Sequence, residues 1–146
     1  MKRTMDIRPA ERRDVKALAL LLGELAGAPM TEAEAEDRLR LCENSPIDFL
    51  YVYEEDGEVL GVCAFRIREN IESVSRYGEV SAIVVRPDAR RRGIGRIMLD
   101  VMEELARGKG CLGLWLVSGF GREEEAHTFY RDYGFEVTGY RFVKRF

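Results

Sequence analysis

The chain has 146 residues, 46% hydrophobic and 34% charged, with a net charge of -3 at pH 7. That length suits one domain, spanning 1–146, with a core of its own. The mild acidity argues against a nucleic-acid partner, and no apolar run nears the roughly 20 residues that span a bilayer, so no membrane partner is expected.

A short strand is predicted from about Thr4 to Arg8, closed by Pro9. A helix follows over about Arg12–Leu25, with Val15, Leu18, Ala19, Leu22 and Leu25 on its apolar stripe. Gly27-Ala28-Pro29 stops it. Thr31-Glu32-Ala33-Glu34 is a capping box, starting a second helix that runs to about Glu43. Asp48–Glu54 alternates and reads as a strand. Asp56-Gly57 is a tight-turn signal, and Glu58–Arg68 is the hairpin's second strand. A polar connection over 69–77 leads into the strand Glu79–Val85, rich in β-branched residues.

Pro87 ends that strand, and a third helix begins at Ile94. Its stripe is Ile94, Ile97, Met98, Val101, Met102 and Leu105, ending near Gly108-Lys109-Gly110. Cys111–Ser118 reads as a short apolar strand, Gly119-Phe120-Gly121 as a loop, and Arg122–Tyr133 as a helix capped by Gly134. Phe135–Thr138 and Arg141–Phe146 read as two last strands. The order is β-α-α-β-β-β-α-β-α-β-β. The fold class is α/β, a mixed central sheet flanked by helices, with a right-handed β-α-β crossover.

The chemistry points to the junction before the third helix. The first N–H groups of a helix have no intrahelical partner, and its dipole is positive there. Gly93 and Gly95 leave room for an anion, and Arg90, Arg91 and Arg92 bring charge to the same spot. Five arginines fall between Arg86 and Arg96 in an otherwise acidic chain. The segment is neither G-x-x-x-x-G-K-[ST] nor G-x-G-x-x-G, because Met98 stands three after Gly95. Cys42, Cys63 and Cys111 read as buried thiols of a reducing compartment, which points to the cytoplasm. No Cys/His cluster has zinc spacing, and His127 is the sole histidine, so no metal is expected.

Two stretches resemble the GCN5-related N-acetyltransferases, or GNAT superfamily, which transfer acetyl from acetyl-CoA to an amine. Arg90-x-x-Gly93-x-Gly95, between a strand and a helix, is similar to the family's pyrophosphate loop. Ala126-His127-x-Phe129-Tyr130-x-x-x-Gly134-Phe135 is similar to its C-terminal helix-and-turn signature. The element order extends the resemblance over nearly the whole chain.

The resemblance implies that the strand Glu79–Val85 splays from the strand Cys111–Ser118 and that pantetheine enters the gap. Backbone N–H groups of Ile83, Val84 and Val85 would then bind the pantetheine amides and polarise the thioester carbonyl. Arg90, Arg91, Arg92, Gly93, Ile94 and Gly95 would hold the pyrophosphate. Tyr130 matches the family's general acid for the leaving thiolate, against an alternative of core packing. Glu79 matches the catalytic glutamate of the histone-acetylating members, against an alternative of a strand-end carboxylate; relatives often carry a further acidic residue at the positions of Ser81 or Ala82. His127 reads as structural or solvent-facing.

The expected function is acetyl transfer from acetyl-CoA, the donor cosubstrate, to an amine by direct attack in a ternary complex. The Gly119–Phe135 segment and the ending Tyr140–Phe146 resemble small-molecule acetyltransferases, aminoalkylphosphonate acetyltransferases among them, which implies a small primary amine. An acetyl-CoA-sensing module with little catalysis, or an acetyltransferase of protein lysines or N-termini, stays open as the alternative. A homodimer also stays open.

Overall fold

The computed structural model describes residues 4–118 and 123–146. The Gly119-Phe120-Gly121 loop and the predicted helix start at Arg122 lie outside the described residues. Five strands form one mixed sheet in the order β1-β2-β3-β4-β5. They are β1 (Met5–Pro9), β2 (Asp48–Glu55), β3 (Glu58–Glu69), β4 (Arg76–Val85) and β5 (Leu114–Trp115). The first four pair antiparallel in chain order, and β5 joins β4 in parallel. The α-helices are α1 (Val15–Ala26), α2 (Glu32–Glu43), α3 (Ile94–Gly108) and α4 (Glu123–Tyr133).

Strand alternation sends each strand's side chains to two cores. Leu50 and Val52 of β2, Val62 of β3 and Val84 of β4 pack with Leu18, Leu21, Ala35 and Leu39 of α1 and α2. Tyr53, Cys63, Phe65 and Val80 pack against Ile94, Met98, Leu99 and Met102 of α3, with Phe129 and Tyr133 of α4 at the margin. Of the predicted α3 stripe, Ile94, Met98 and Met102 are buried and Ile97, Val101 and Leu105 partly so, while the buried face also takes in Leu99 and Ala106. Thr31 caps α2 as expected, its Oγ1 accepting from the Glu34 N–H at 3.1 Å. Asp56 and Gly57 turn the β2–β3 hairpin with φ of 51° and 82°, both left-handed as a two-residue hairpin turn requires.

At the start of α1, Asp14 caps the preceding turn through the Glu11 N–H at 2.7 Å and takes two bonds from Arg8 at 2.8 and 3.0 Å. Arg8 also reaches Glu54 on β2, tying β1, β2 and α1 together. Burial by itself would raise the Asp14 carboxyl, but the hydrogen bonds from Arg8 and the Glu11 backbone outweigh it and hold the group below its usual range.

Two expectations need correction. Cys111–Ser118 is a strand only at Leu114–Trp115, because β4 and β5 pair only at Gly78–Leu114 and Glu79–Trp115. Phe135–Thr138 and Arg141–Phe146 form no strand: residues 136–146 are exposed throughout and have no ladder partner among the described residues. Alternation supplies strand propensity, but a ladder needs a neighbour.

Candidate active site

The brevity of β5 makes the site. β3 pairs with β4 as far as Val85, whereas β5 leaves β4 after Glu79. From Val80 onward the other edge of β4 has no strand beside it among the described residues. The gap is a cleft of about 780 Å³. One wall is Val80–Val85, the other Leu116–Ser118; α3 begins at one end and α4 lies across it. A bulge sits at the mouth. The register jumps from Ala64–Ala82 to Phe65–Val80, leaving Ser81 as the extra residue of β4, exposed and lining the cleft.

Of the residues singled out in the sequence, Ile83, Val84, Val85, Arg90, Arg91, Gly93, Ile94, Gly95 and Tyr130 all line this cleft. Gly93 is the N-cap of α3 at φ 82°, with no side-chain cap. The first intrahelical bond runs from the Ile97 N–H to Gly93 O at 3.1 Å, so the N–H groups before it have no helical acceptor. A Cβ on Gly93 would meet nothing within 4 Å, so its surroundings are open to a ligand. Gly95 is needed for another reason: a Cβ there would stand 3.1 Å from the Phe129 ring, where α4 crosses the start of α3. Arg91 holds a left-handed φ of 64°, a conformation costing a non-glycine residue roughly 1–2 kcal/mol. Uncapped N–H groups, a positive dipole end and arginines fit the phosphates of a nucleotide cofactor.

The arginines divide. Arg90 folds back on the strand end, its Nε donating to Val85 O at 3.2 Å, and its Nη2 stands 3.4 Å from Glu24 of α1. Arg92 does not line the cleft. Its Nη2 lies 2.7 Å from both carboxylate oxygens of the buried Glu55, so it anchors the loop to the β2–β3 hairpin.

Tyr130 is half-buried, with ring centroids 5.4 Å from Phe129 and 5.9 Å from Phe135. Tyr133, which the helical spacing puts on the same face, is elsewhere in the fold. Its hydroxyl donates to Asp100 at 2.8 Å and Glu103 at 3.2 Å of α3. Burial and these two carboxylates push its phenol well above the usual value. Phe129, next to Tyr130, also lines the cleft.

Glu79 lies one residue before the cleft opens and does not line it. It stands opposite Arg66 on β3 and Trp115 on β5. Arg68 Nε is 3.4 Å from its Oε2, and the Arg68 guanidinium lies 5.3 Å from the Trp115 ring centroid. Glu79 is thus about 13 Å along the strand from Ile83. Cys63 is fully buried, and burial pushes its thiol up to about 12. Burial raises the half-buried Cys42 and Cys111 as well. None of the three lines the cleft.

The sequence reading missed Glu24 and Leu25 at the end of α1, Ser81 and Arg96. Glu24 pairs with a residue 66 positions away, a contact without a local signal. Arg96 was visible in the arginine cluster and falls in the first turn of α3, its guanidinium 5.4 Å from the Tyr133 ring centroid.

No helix among the described residues is long and apolar enough to cross a membrane. The chain is 32% identical over 89 residues to an aminoalkylphosphonate N-acetyltransferase of Salmonella typhimurium, covering 61% of this chain and 57% of that protein. It is 25% identical over 136 residues to a glucosamine 6-phosphate N-acetyltransferase of Trypanosoma brucei brucei, covering 91% and 90%. In fold it matches an aminoglycoside N-acetyltransferase solved in complex with CoA, with a TM-score of 0.85, 19% identity, and 99% and 96% of the two chains covered. The model of the acetyltransferase (GNAT) family matches residues 18–135. With the splayed strands and the helix-capped cleft in place, the chain belongs to the acetyltransferase (GNAT) family and is an N-acetyltransferase.

Proposed function

We propose that the protein transfers acetyl from acetyl-CoA to a small-molecule primary amine by direct attack in a ternary complex. The observation that carries this reading is the cleft itself. One continuous gap joins an open strand edge, an uncapped helix start and a tyrosine hydroxyl-bearing ring. The named substrates of the two sequence relatives, an aminoalkylphosphonate and an amino-sugar phosphate, support a small amine.

The bound donor would supply an activated acetyl thioester. The chain's residues do the rest. The start of α3, with Arg90, Arg91 and Arg96, holds phosphate oxygens. The open edge of β4 at Ile83–Val85 orients the pantetheine amides and directs an N–H at the thioester oxygen, an interaction typically worth a few kcal/mol as charge develops there. Glu79 takes the proton that the attacking nitrogen loses, through water, since it lies outside the cleft. The Tyr130 Oη gives a proton to the departing sulfur. The C–N bond forms as the C–S bond breaks.

Acetyl-CoA should raise the melting temperature by mass action, and thiol release should appear with some members of an amine panel. Gly93→Glu would put a carboxylate at the anion site and should abolish the thermal shift. An unchanged shift in a folded Gly93→Glu variant would remove the phosphate-loop assignment. A full shift with no thiol release from any amine would favour a sensor of acetyl-CoA.

A further inference from the structure

The sheet face turned away from α3 carries a cluster that neither core absorbs. Phe65 and Val80 face α3, so by alternation Arg66 and Glu79 face the other way, and Arg68 shares the face of Arg66. Arg66 is already committed there. Its Nε and Nη2 clamp Asp48 at 2.7 and 3.0 Å, and Ser45 Oγ donates to the same carboxylate at 2.9 Å. Arg68 has no such clamp. Its Nε stands 3.4 Å from Glu79 Oε2, its side chain is 45% exposed, and it donates no hydrogen bond among the described residues. Trp115 is the chain's only tryptophan and joins neither core; its ring centroid lies 5.3 Å from the Arg68 guanidinium.

A guanidinium resting on an aromatic ring keeps its planar edge open, and that edge matches two oxygens of a carboxylate, phosphonate or phosphate. The ring and the Glu79 ion pair hold the fork in place before any ligand arrives. The cluster also adjoins the cleft. Val80 and Leu116, the residues after Glu79 and Trp115, line its two walls. An amine at the cleft mouth therefore has a carboxylate beside it and an open cationic fork one side chain further out.

We propose that the acceptor is a short zwitterion, an amine whose own chain ends in an acidic group, and that Arg68 binds that acidic end beside Trp115. The proposal rests on the small-amine transfer reading above and says which amines it takes. The ammonium and the anion of the substrate then meet Glu79 and Arg68, one charge pair facing another. Asp48 does not oppose the anion, because Arg66 and Ser45 already occupy its oxygens. A diamine would set its second ammonium against Arg68, a repulsive contact that works against the wrong partner. A neutral amine would leave the fork in water.

Amines that share one propyl chain and differ only at its far end test this: aminopropylphosphonate, aminobutyrate, aminopropanol and diaminopropane. With acetyl-CoA, kcat/KM for thiol release should be about 10-fold or more higher for the acidic amines than for aminopropanol, the range of a charge-assisted hydrogen bond. Diaminopropane should be the poorest, and the ratio of the two acids tells which headgroup the fork prefers. Arg68→Glu should reverse the order of the phosphonate and the diamine. Arg107→Gln, at an exposed arginine of α3, should keep it. Binding has its own readout, because Trp115 is the sole indole. Its emission should titrate with aminopropylphosphonate in the CoA-loaded protein, and Arg68→Gln should abolish the response. Equal rates across the set, or a lead for the alcohol or the diamine, would overturn the proposal and leave acetyl transfer standing. An Arg68-dependent emission change without thiol release from any amine would support the anion site and count against transfer to a small amine. No response in either measurement would overturn both. If the Arg68 variants fail to fold, the order of rates in the unaltered protein decides the matter.

Discussion

Two tyrosines three positions apart on α4 illustrate how much a single residue's surroundings decide. Tyr130 lines the cleft, while Tyr133 locks α4 to α3 through Asp100 and Glu103. Tyr130→Phe should therefore lower kcat by about 10²-fold or more, the range for losing a general acid, while the acetyl-CoA thermal shift is kept. Tyr133→Phe should do the opposite: turnover stays, and stability falls by about 1 kcal/mol. Equal losses of turnover in both variants would return Tyr130 to a packing role. Glu79 requires a different measurement, because its partner Arg68 is half in solvent. An exposed ion pair contributes little to stability, at most about 1 kcal/mol, so Glu79→Gln should unfold almost normally. If Glu79 is the base, kcat/KM should fall about 10²-fold at neutral pH. The deficit should narrow at high pH, where more amine is already neutral. A wild-type acidic limb in Glu79→Gln would assign the proton to water or to the substrate itself. The motif spacing made Tyr130 and Gly93 legible in the sequence. It could not show that Arg92 turns to Glu55 or that Glu24 meets Arg90, because those contacts join distant segments.

Elements were legible where one segment supplies its own signal. The α3 stripe, the Thr31 cap and the Asp56-Gly57 turn are each encoded within a few residues, and each is found. The strand β4 is longer at its start than its apolar run suggests, because Arg76, Tyr77 and Gly78 pair with β3 despite their polar approach. The failures share one cause. Cys111–Ser118 is a short apolar run and the two terminal segments mix apolar with polar residues, but strand formation is a property of a pair. Where β4 turns away, the partner is missing and the pattern goes unused, and in the case of β5 that loss creates the cleft. The cleft thus rests on a strand that stops early, which no propensity scale registers.

At the scale of the whole molecule, the three-way tie of β1, α1 and β2 sets the acid limit. Arg8 holds Asp14 low despite its burial, and Arg66 at 2.7 Å holds Asp48 low at the start of β2. Both carboxyls therefore have folded values below the ordinary 3.8. Unfolded chains take up these protons first as pH falls. The stabilisation is complete well above that value and is lost as pH drops through the lower folded values. Urea midpoints should be flat near neutrality and fall below about pH 4, where unfolded aspartates gain protons. Asp14→Asn should cost about 3 kcal/mol at pH 7, as for a buried pair with one partner removed, and should flatten that acid limb. A midpoint that is unchanged at pH 7 would remove Asp14 from this role. The cysteines have a consequence of another kind. Each proposed turnover liberates CoA as a free thiol. A thiol attacks a disulfide reagent as its thiolate, and burial raises all three cysteine thiols, with Cys63 shut inside the sheet's core. Reagents that count released thiols will thus count CoA before they count the enzyme.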